Sequence, residues 1–256
     1  MVNLPGKLMM INKLVLVFAL AVVFGSTISF GQEPKMNSPA KPGTKKLQEG
    51  GQLYWIFLTT GKSSEGVDKE LIEEMQAAHL ANFKTLAEQK KLLTAGPISD
   101  PEKRLRGIVV VQAHNRDELK AMFKDDPFVQ KGYLNVEATE MDFEYGAINT
   151  RITPDGLEEF RLVILEKDSK PNEFSESDSK ENQSYIAEMS SEKDLLLTAF
   201  LPKEGFNRAA ILVMAKGEND DSIDQKVSNI PAVKAGVWKF RIFPLLMGKG
   251  TLTKAG

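Results

Sequence analysis

Two histidines and their neighbouring carboxylates are the groups in this chain best suited to moving protons. The histidines are His79 and His114, and the sequence contains no cysteine. An imidazole changes charge near neutral pH, so it serves as a general acid or base when a carboxylate orients it. The lack of cysteine excludes a thiolate nucleophile, a thiolate zinc site and a disulfide framework. Two histidines are too few for a multi-histidine metal site within one chain, and the sequence predicts neither a metal nor a cofactor.

His79 lies in a segment whose apolar residues recur every three or four positions. With His79, the stripe consists of Ile72, Met75, Phe83 and Leu86. This spacing predicts a helix over 68–90 that directs the imidazole towards the protein interior. A lone histidine on an apolar stripe is more often a buried side chain bonded to a backbone carbonyl, and that alternative stays open.

Asp126 is the carboxylate that could pair with His79. A second predicted helix, 115–125, opens with Asn115 and Glu118 in a pattern much like a capping box, and Asp126 comes at its end. A carboxylate there faces the negative end of the helix dipole, which costs ~0.3–1 kcal/mol, and an imidazolium would offset that cost. The alternative is a plain helix-ending turn, in which an aspartate precedes Pro127.

The segments that would position these residues occur twice along the chain. The motif at 92–95, LLTA, recurs at 196–199, and Pro127, Val129 and Gly132 recur at the same separation as Pro231, Val233 and Gly236. The sequence therefore predicts a divergent tandem repeat, with a first copy at 53–145, a linker at 146–157 and a second copy at 158–248.

Each copy has the pattern β-α-β-β-α-β. In the first copy the predicted strands are 53–59, 92–96, 107–113 and 132–141; in the second they are 160–165, 195–199, 209–215 and 237–243. Strands 53–59 and 107–113 are apolar on both faces. One face takes the two helices, so the other needs cover, and the sheet of the other copy is its natural cover. We expect two sheets that face each other in a barrel-like pseudo-dimer within one chain, as a monomer or a homodimer.

The N-terminus reads as an export signal followed by a tether. Lys7 and Lys13 precede an unbroken apolar run at 14–24, which is short for a membrane span of ~20 residues. Residues 1–31 are predicted to be a cleavable signal peptide, with an anchor helix as the alternative, and 32–52 to be a flexible tether. The predicted location is secreted or periplasmic, without stable membrane insertion after cleavage. A net charge of −2 without a basic block argues against a nucleic-acid partner.

Several short motifs of the first copy together resemble the YciI-like (YCII-related) domain family. They are His79-Leu80, 92–97 (LLTAGP), 107–111, 126–129 (DPFV) and Gly132. The resemblance covers nearly all of the first copy. It implies a ferredoxin-like α+β fold that dimerises by sheet packing, as in the dimeric α/β barrels. It also implies a His–Asp dyad in a small pocket, which would fall on His79 and Asp126. One relative is a dehydrochlorinase of a chlorinated hydroxyhydroquinone, and most members have no known reaction.

The second copy departs from this pattern. At the constant separation of the repeat, His79 corresponds to Gln183 and Asp126 to Ile230, and neither residue can do acid–base work. Residues 168–184 are polar and are predicted to form a surface loop that leads into a short helix at 182–189. The second copy is therefore predicted to complete the pseudo-dimer and to carry no site.

Spacing and resemblance together favour a functional pair in the first copy. Asp126 would orient His79, which would exchange a proton with a small molecule, either a hydroxylated ring or an enolisable carbonyl compound. Candidate substrate contacts are Tyr54, Trp55, Ser99 and Phe128. Ser99 has a plain turn role as its alternative, and His114 is expected to be exposed. A lyase or isomerase-like enzyme, a small-ligand-binding protein and a structural module remain as alternatives.

Overall fold

A computed structural model describes residues 51–150, 154–168, 176–191, 194–200, 208–216 and 220–253. The predicted signal peptide, 1–31, and nearly all of the predicted tether, 32–52, lie outside these ranges. Within the described ranges, the structure contains no helix that is both long and apolar enough to cross a membrane.

The first half of the chain builds one antiparallel sheet with its helices. Its elements are β1 (Gln52–Thr60), α1 (Lys69–Glu88), β2 (Leu92–Pro97), β3 (Leu105–Ala113), α2 (Arg116–Met122), α3 (Pro127–Gln130) and β4 (Leu134–Glu140). The strand order is β2-β3-β1-β4, so β1 and β3 are central. The side chain of Asp68 caps α1 by accepting from the backbone N–H groups of Glu70 and Leu71.

The second half builds another antiparallel sheet. The connecting segment contributes β5 (Phe143–Tyr145) and β6 (Ala147–Ile148), and the second half contributes β7 (Leu157–Lys167), α4 (Glu176–Ser191), β8 (Leu195–Phe200), β9 (Arg208–Ala215), α5 (Asp220–Ser228), α6 (Pro231–Lys234), β10 (Trp238–Gly248) and β11 (Leu252–Thr253). The sheet order is β10-β7-β9-β8-β5, and β6 pairs with β11. Apart from β5, this is the strand order of the first sheet.

The two sheets share one apolar core. Side chains of β1 alternate between the two faces of its sheet, as a pleated strand requires. Tyr54 and Ile56 pack with Phe83 of α1 on the helical side. Trp55 and Phe57 point the other way, into a core that also contains residues of β7, β9 and β10. Both apolar faces of β1 are therefore covered, one by helices and the other by the second sheet.

The edges of the two sheets meet at two seams. At one seam, β5 leaves the first half and pairs with β8 of the second sheet. At the other, Ile98 forms a β-bridge with Leu245 of β10, and the backbone N–H of Ser99 donates to Pro244 O at 2.9 Å. β5 and the Ile98–Leu245 bridge thus link the two sheets on both sides of the shared core.

The structure corrects three sequence-based expectations about element positions. Strand pairing places Leu92 of β2 opposite Val111 and Leu195 of β8 opposite Met214, so the corresponding LLTA segments are displaced by one residue from the sequence match. Helix α4 begins at Glu176, inside the predicted loop 168–184. Strand β10 runs to Gly248, past the predicted end at 243, because its whole length pairs with β7.

Candidate functional site

His79 lies on the buried face of α1, where its helix packs over the first sheet. The predicted stripe is buried at Met75, His79, Phe83 and Leu86. The imidazole contacts two aromatic rings: the Phe83 ring centroid lies 4.4 Å away, and the Phe128 ring meets it edge-on at 5.8 Å. These rings restrict the rotation of the imidazole and leave 9% of the His79 side chain exposed.

Asp126 is held in place by the start of a short helix, and here the structure corrects the sequence-based picture. Helix α2 ends at Met122, so Asp126 does not face the negative end of a helix dipole. It is the N-cap of α3, with Pro127 at the first helical position. Its Oδ1 accepts from the backbone N–H of Phe128 at 3.0 Å and of Val129 at 3.4 Å. This position stabilises the carboxylate instead of opposing it.

The second carboxylate oxygen of Asp126 meets His79. Oδ2 lies 2.5 Å from Nδ1 of the imidazole, and Asp126 is completely buried. When Asp126 is ionised, both of its oxygens are acceptors, so the bond to Oδ2 requires that Nδ1 of His79 carry the proton. In the neutral ring, this assignment leaves the lone pair on Nε2, which is the arrangement of a general base.

Nε2 is the part of the imidazole that remains free to react. Nε2 of His79 has no hydrogen-bond partner among the residues that the structure describes. It is also not one of the fully buried side-chain atoms that lack a partner in this part of the chain. The exposed part of the ring therefore includes Nε2, and a small molecule that reaches the ring would exchange its proton with this nitrogen, since Asp126 occupies Nδ1.

The other predicted contacts are distributed over both faces of the first sheet. Tyr54 lies on the helical side, where its hydroxyl donates to Glu140 Oε1 at 3.3 Å. Burial, followed by the charge of Glu140, raises the pKa of the Tyr54 phenol, so the group stays protonated and neutral at physiological pH. Trp55 lies on the opposite face in the shared core, so the sheet separates it from His79.

Ser99 lies at the seam between the sheets. Its side chain is exposed, and its backbone bonds to Pro244 of β10. A cleft of about 270 Å³ lies beside this seam, and none of its lining residues is a predicted site residue. They are Asp100, Pro101, Glu102, Arg241, Ile242 and Phe243. The structure thus brings Phe128 to the His79–Asp126 pair and places Ser99 elsewhere.

The second half has a different contact at the corresponding place. Buried residues of α4 at Asn182, Ile186 and Met189 have the spacing of His79, Phe83 and Leu86. Asn182, and not Gln183 as the sequence repeat indicates, therefore corresponds to His79. Asn182 Oδ1 accepts directly from the backbone N–H of Ala232 in α6 at 3.2 Å. Ile230 occupies the N-cap position there and gives no side-chain cap.

The sequence pattern pointed to Gln183 and not to Asn182 because the segments that connect strands and helices differ in length between the two halves. A single separation for the whole repeat misaligns α4 by one residue. The signal that could have found Asn182 is the apolar spacing of α4, since Ile186 and Met189 fix its buried face.

His114 takes no part in the His79–Asp126 pair. His114 is exposed, and its Nδ1 lies 2.7 Å from Glu118 Oε2 at the start of α2. In the part of the chain that the structure describes, no three His, Asp or Glu side chains are grouped so as to hold a metal ion.

Solved structures show which known folds the chain is similar to. A protein from Fusobacterium nucleatum subsp. nucleatum ATCC 25586, proposed to be a monooxygenase, has a TM-score of 0.51 at 13% identity, over 82% of this chain and 97% of that one. A protein proposed to be a chlorite dismutase has a TM-score of 0.50 at 11% identity, over 80% and 96%. A haem-binding protein from Thermus thermophilus has a TM-score of 0.44 at 11% identity, over 78% and 91%.

At these identities, the first two structures show the fold alone: a mixed α/β fold with antiparallel sheets, similar to the dimeric α/β barrels. No curated protein matches the chain by sequence. The family comparison is more specific, since it covers the sheet and helices that hold His79 and Asp126. Residues 53–142 of this chain match the family model of the YCII-related domain.

Proposed function

We propose that the chain is an exported protein of two YciI-like copies, and that the first copy is an acid–base catalyst. His79 transfers the proton and Asp126 orients it. The reaction is of the lyase or isomerase type, and the substrate is a small hydroxylated ring or an enolisable carbonyl compound. In an isomerisation, the base removes a proton from one atom and returns it at another. In an elimination, it removes a proton while the leaving group departs from the adjacent atom with its electron pair, and neither reaction needs a covalent nucleophile.

The observation that carries this proposal is the bond between His79 Nδ1 and Asp126 Oδ2, at 2.5 Å. The other carboxylate oxygen, Oδ1, accepts from the N-terminus of α3. The two contacts fix the orientation of Asp126, and so also the direction in which Nε2 of His79 points. A positioned base of this kind contributes typically 10²–10⁴-fold to a rate. The edge-on ring of Phe128 beside the imidazole provides an apolar surface against which a flat, unsaturated substrate can pack.

The second half supports a chemical role for His79 rather than a structural one. There, one asparagine caps the short helix directly and no histidine intervenes. The fold therefore has a simpler way to satisfy this helix N-terminus. A buried pair of titratable side chains is the more costly solution, and we infer that the first copy retains it for chemistry.

The experiment that tests the proposal is solvent hydrogen exchange. The protein is incubated in deuterated buffer with a panel of hydroxylated-ring and enolisable carbonyl compounds, and deuterium incorporation is followed by proton NMR. We expect at least one compound to exchange faster with the parent than with the His79→Ala variant, by about 10²–10⁴-fold. Equal exchange for every compound, with both proteins folded, contradicts a proton-transfer function.

The alternative is a protein that captures a small ligand without converting it. It is favoured by the limited access to the site, since only 9% of the His79 side chain is exposed. Thermal protection of the parent by a compound that undergoes no exchange, and its loss in His79→Ala, would support this alternative. The stabilisation grows with the logarithm of the ratio of ligand concentration to Kd, so a titration separates specific binding from an additive effect.

A further inference from the structure

Asn82 lies in α1 one turn beyond His79, and it ties this helix to the end of α2. Its side-chain Nδ2 donates to the backbone carbonyl of Met122 at 2.9 Å. Met122 is the last residue of α2, and its side chain is buried in the helical core. The backbone of Asn82 is therefore held in α1, and its side chain is held by the Met122 carbonyl.

A short hydrogen-bonded turn connects the Met122 carbonyl to Asp126. The backbone N–H of Phe123, which caps α2, donates to Lys120 O, and the N–H of Asp126 donates to Phe123 O at 3.2 Å. Phe123 is itself buried. Because Asp126 follows Met122 closely along this hydrogen-bonded turn, holding the Met122 carbonyl also holds the carboxylate that meets His79.

The second half contains the same tie with different side chains. Tyr185 lies three residues after Asn182, as Asn82 lies three after His79. Its hydroxyl donates to Lys226 O at 3.3 Å, and Lys226 lies four residues before Ile230, as Met122 lies four before Asp126. A side chain of the long helix thus binds a backbone carbonyl near the end of the following helix in both halves, from α1 to α2 and from α4 to α5. Only in the first half does a His–Asp pair follow this hydrogen bond.

We propose that Asn82 is a positioning residue, which sets the contact between Asp126 Oδ2 and His79 Nδ1 through the Met122 carbonyl. Its effect on catalysis rests on the proposed function, whereas its effect on the pair does not. Loss of the tie lets the end of α2 shift, and a displacement of about 1 Å at a catalytic group can cost 10²-fold in rate.

The test is the NMR signal of the proton on His79 Nδ1, which a short bond to a carboxylate moves far downfield. We compare the full chain with Asn82→Leu, which keeps the side-chain size, and with Tyr185→Phe, which removes the matched tie in the second half. In Asn82→Leu we expect the resonance to move upfield and its exchange with solvent to quicken by about 10-fold or more, as for a hydrogen bond weakened by ~1.4 kcal/mol. In Tyr185→Phe the resonance should not change.

Three results would overturn the proposal. The first two are an unchanged resonance in Asn82→Leu and the same change in Tyr185→Phe. A parent without the downfield resonance would also overturn it, since the pair itself would then be wrong. Asn82→Ala serves as a second variant if Asn82→Leu does not fold. A parent that shows the resonance and the Asn82 effect but no turnover contradicts the proposed function alone, so the two failures are distinguishable.

Discussion

Asn182 occupies in α4 the place that His79 occupies in α1, and each contacts the start of the short helix that follows in its half. His79 reaches α3 through the carboxylate of Asp126, while Asn182 binds the backbone N–H of Ala232 in α6 directly. One fold thus satisfies the same helix N-terminus in two ways, of which only the first leaves a titratable ring with a free nitrogen.

Replacing Asp126 by asparagine should separate chemistry from stability. In Asp126→Asn the side-chain oxygen can still cap α3, so we expect the free energy of unfolding to change by less than about 1 kcal/mol. The amide nitrogen would donate to His79 Nδ1 and force the proton onto Nε2, so the base is lost. The exchange activity should fall by about 10²–10⁴-fold, as far as in His79→Ala, because a base with the wrong tautomer cannot accept the proton. A fully active Asp126→Asn would contradict the role of the carboxylate.

Replacing Asp126 by alanine should also cost stability. Asp126→Ala removes the N-cap of α3 and leaves the imidazole without its partner. We expect a loss of about 1–3 kcal/mol in the free energy of unfolding, measured in urea. If Asp126→Ala were as stable as Asp126→Asn, the cap would contribute nothing to folding.

Replacing Asn182 should lower stability but not activity, whereas replacing His79 should lower activity. Asn182→Ala leaves the buried N–H of Ala232 without an acceptor, so we expect a loss of about 1–3 kcal/mol in stability. Exchange activity per folded molecule should stay within twofold of the parent, because the site lies in the other half. A specific loss of activity in a stable Asn182→Ala would show that the second half contributes to the site.

Close packing of β2 against β10, at the seam of the Ile98–Leu245 bridge, should require a glycine at position 96. A methyl group at this position would lie 1.9 Å from the carbonyl oxygen of Leu246 in β10, so Gly96→Ala must push the two strands apart. We expect a loss of stability above about 3 kcal/mol, beyond ordinary overpacking. Gly66→Ala is the control: nothing lies within 4 Å there, and its φ of +78° should cost only about 1–2 kcal/mol. Equal losses would mean that the seam yields easily.

Glu118 should make stability sensitive to acid. Three hydrogen bonds lower the pKa of the Glu118 carboxyl from 4.5 to about 2. The largest effect comes from the backbone N–H of His114, followed by the side chains of Lys91 and His114. A lowered folded-state pKa stabilises the fold above pH 4.5, and this contribution is lost as the pH falls towards 2. We expect Glu118→Gln to cost about 1 kcal/mol at neutral pH, after allowance for solvent screening.

The measurement is urea unfolding of the parent and Glu118→Gln between pH 2 and 7. The difference between their unfolding free energies should shrink as the pH falls through the window from 4.5 to 2. A difference that stays constant with pH would mean that ionisation of Glu118 does not stabilise the fold.

Much of the architecture could be predicted because it rests on local apolar patterns. The two apolar faces of β1 required cover on both sides, and the spacing of Met75, His79 and Phe83 identified the buried face of α1. The location of Asp126 could not be predicted in the same way. The end of α2 at Met122 and the start of α3 at Pro127 depend on a short turn, and a sequence pattern determines the boundaries of an element less well than its type.

The separation of Trp55 from His79 shows a second limit. Adjacent strand residues point to opposite faces, so Tyr54 and Trp55 cannot line one pocket, yet which face carries the helices depends on how the whole chain packs. The one-residue displacement of α4 and β8 has a similar cause, because a short difference in loop length between the two halves cannot be recognised from a few matching residues.

The most direct test of the central claim is nitrogen-15 NMR of the two imidazoles in the folded protein near neutral pH. We predict that neutral His79 carries its proton on Nδ1 and a lone pair on Nε2, and that Asp126→Asn reverses the two. His114 provides the internal reference, since it should not respond to Asp126. A parent whose His79 is protonated on Nε2 alone, or a tautomer unchanged in a folded Asp126→Asn, would contradict the claim that Asp126 prepares His79 to act as a base.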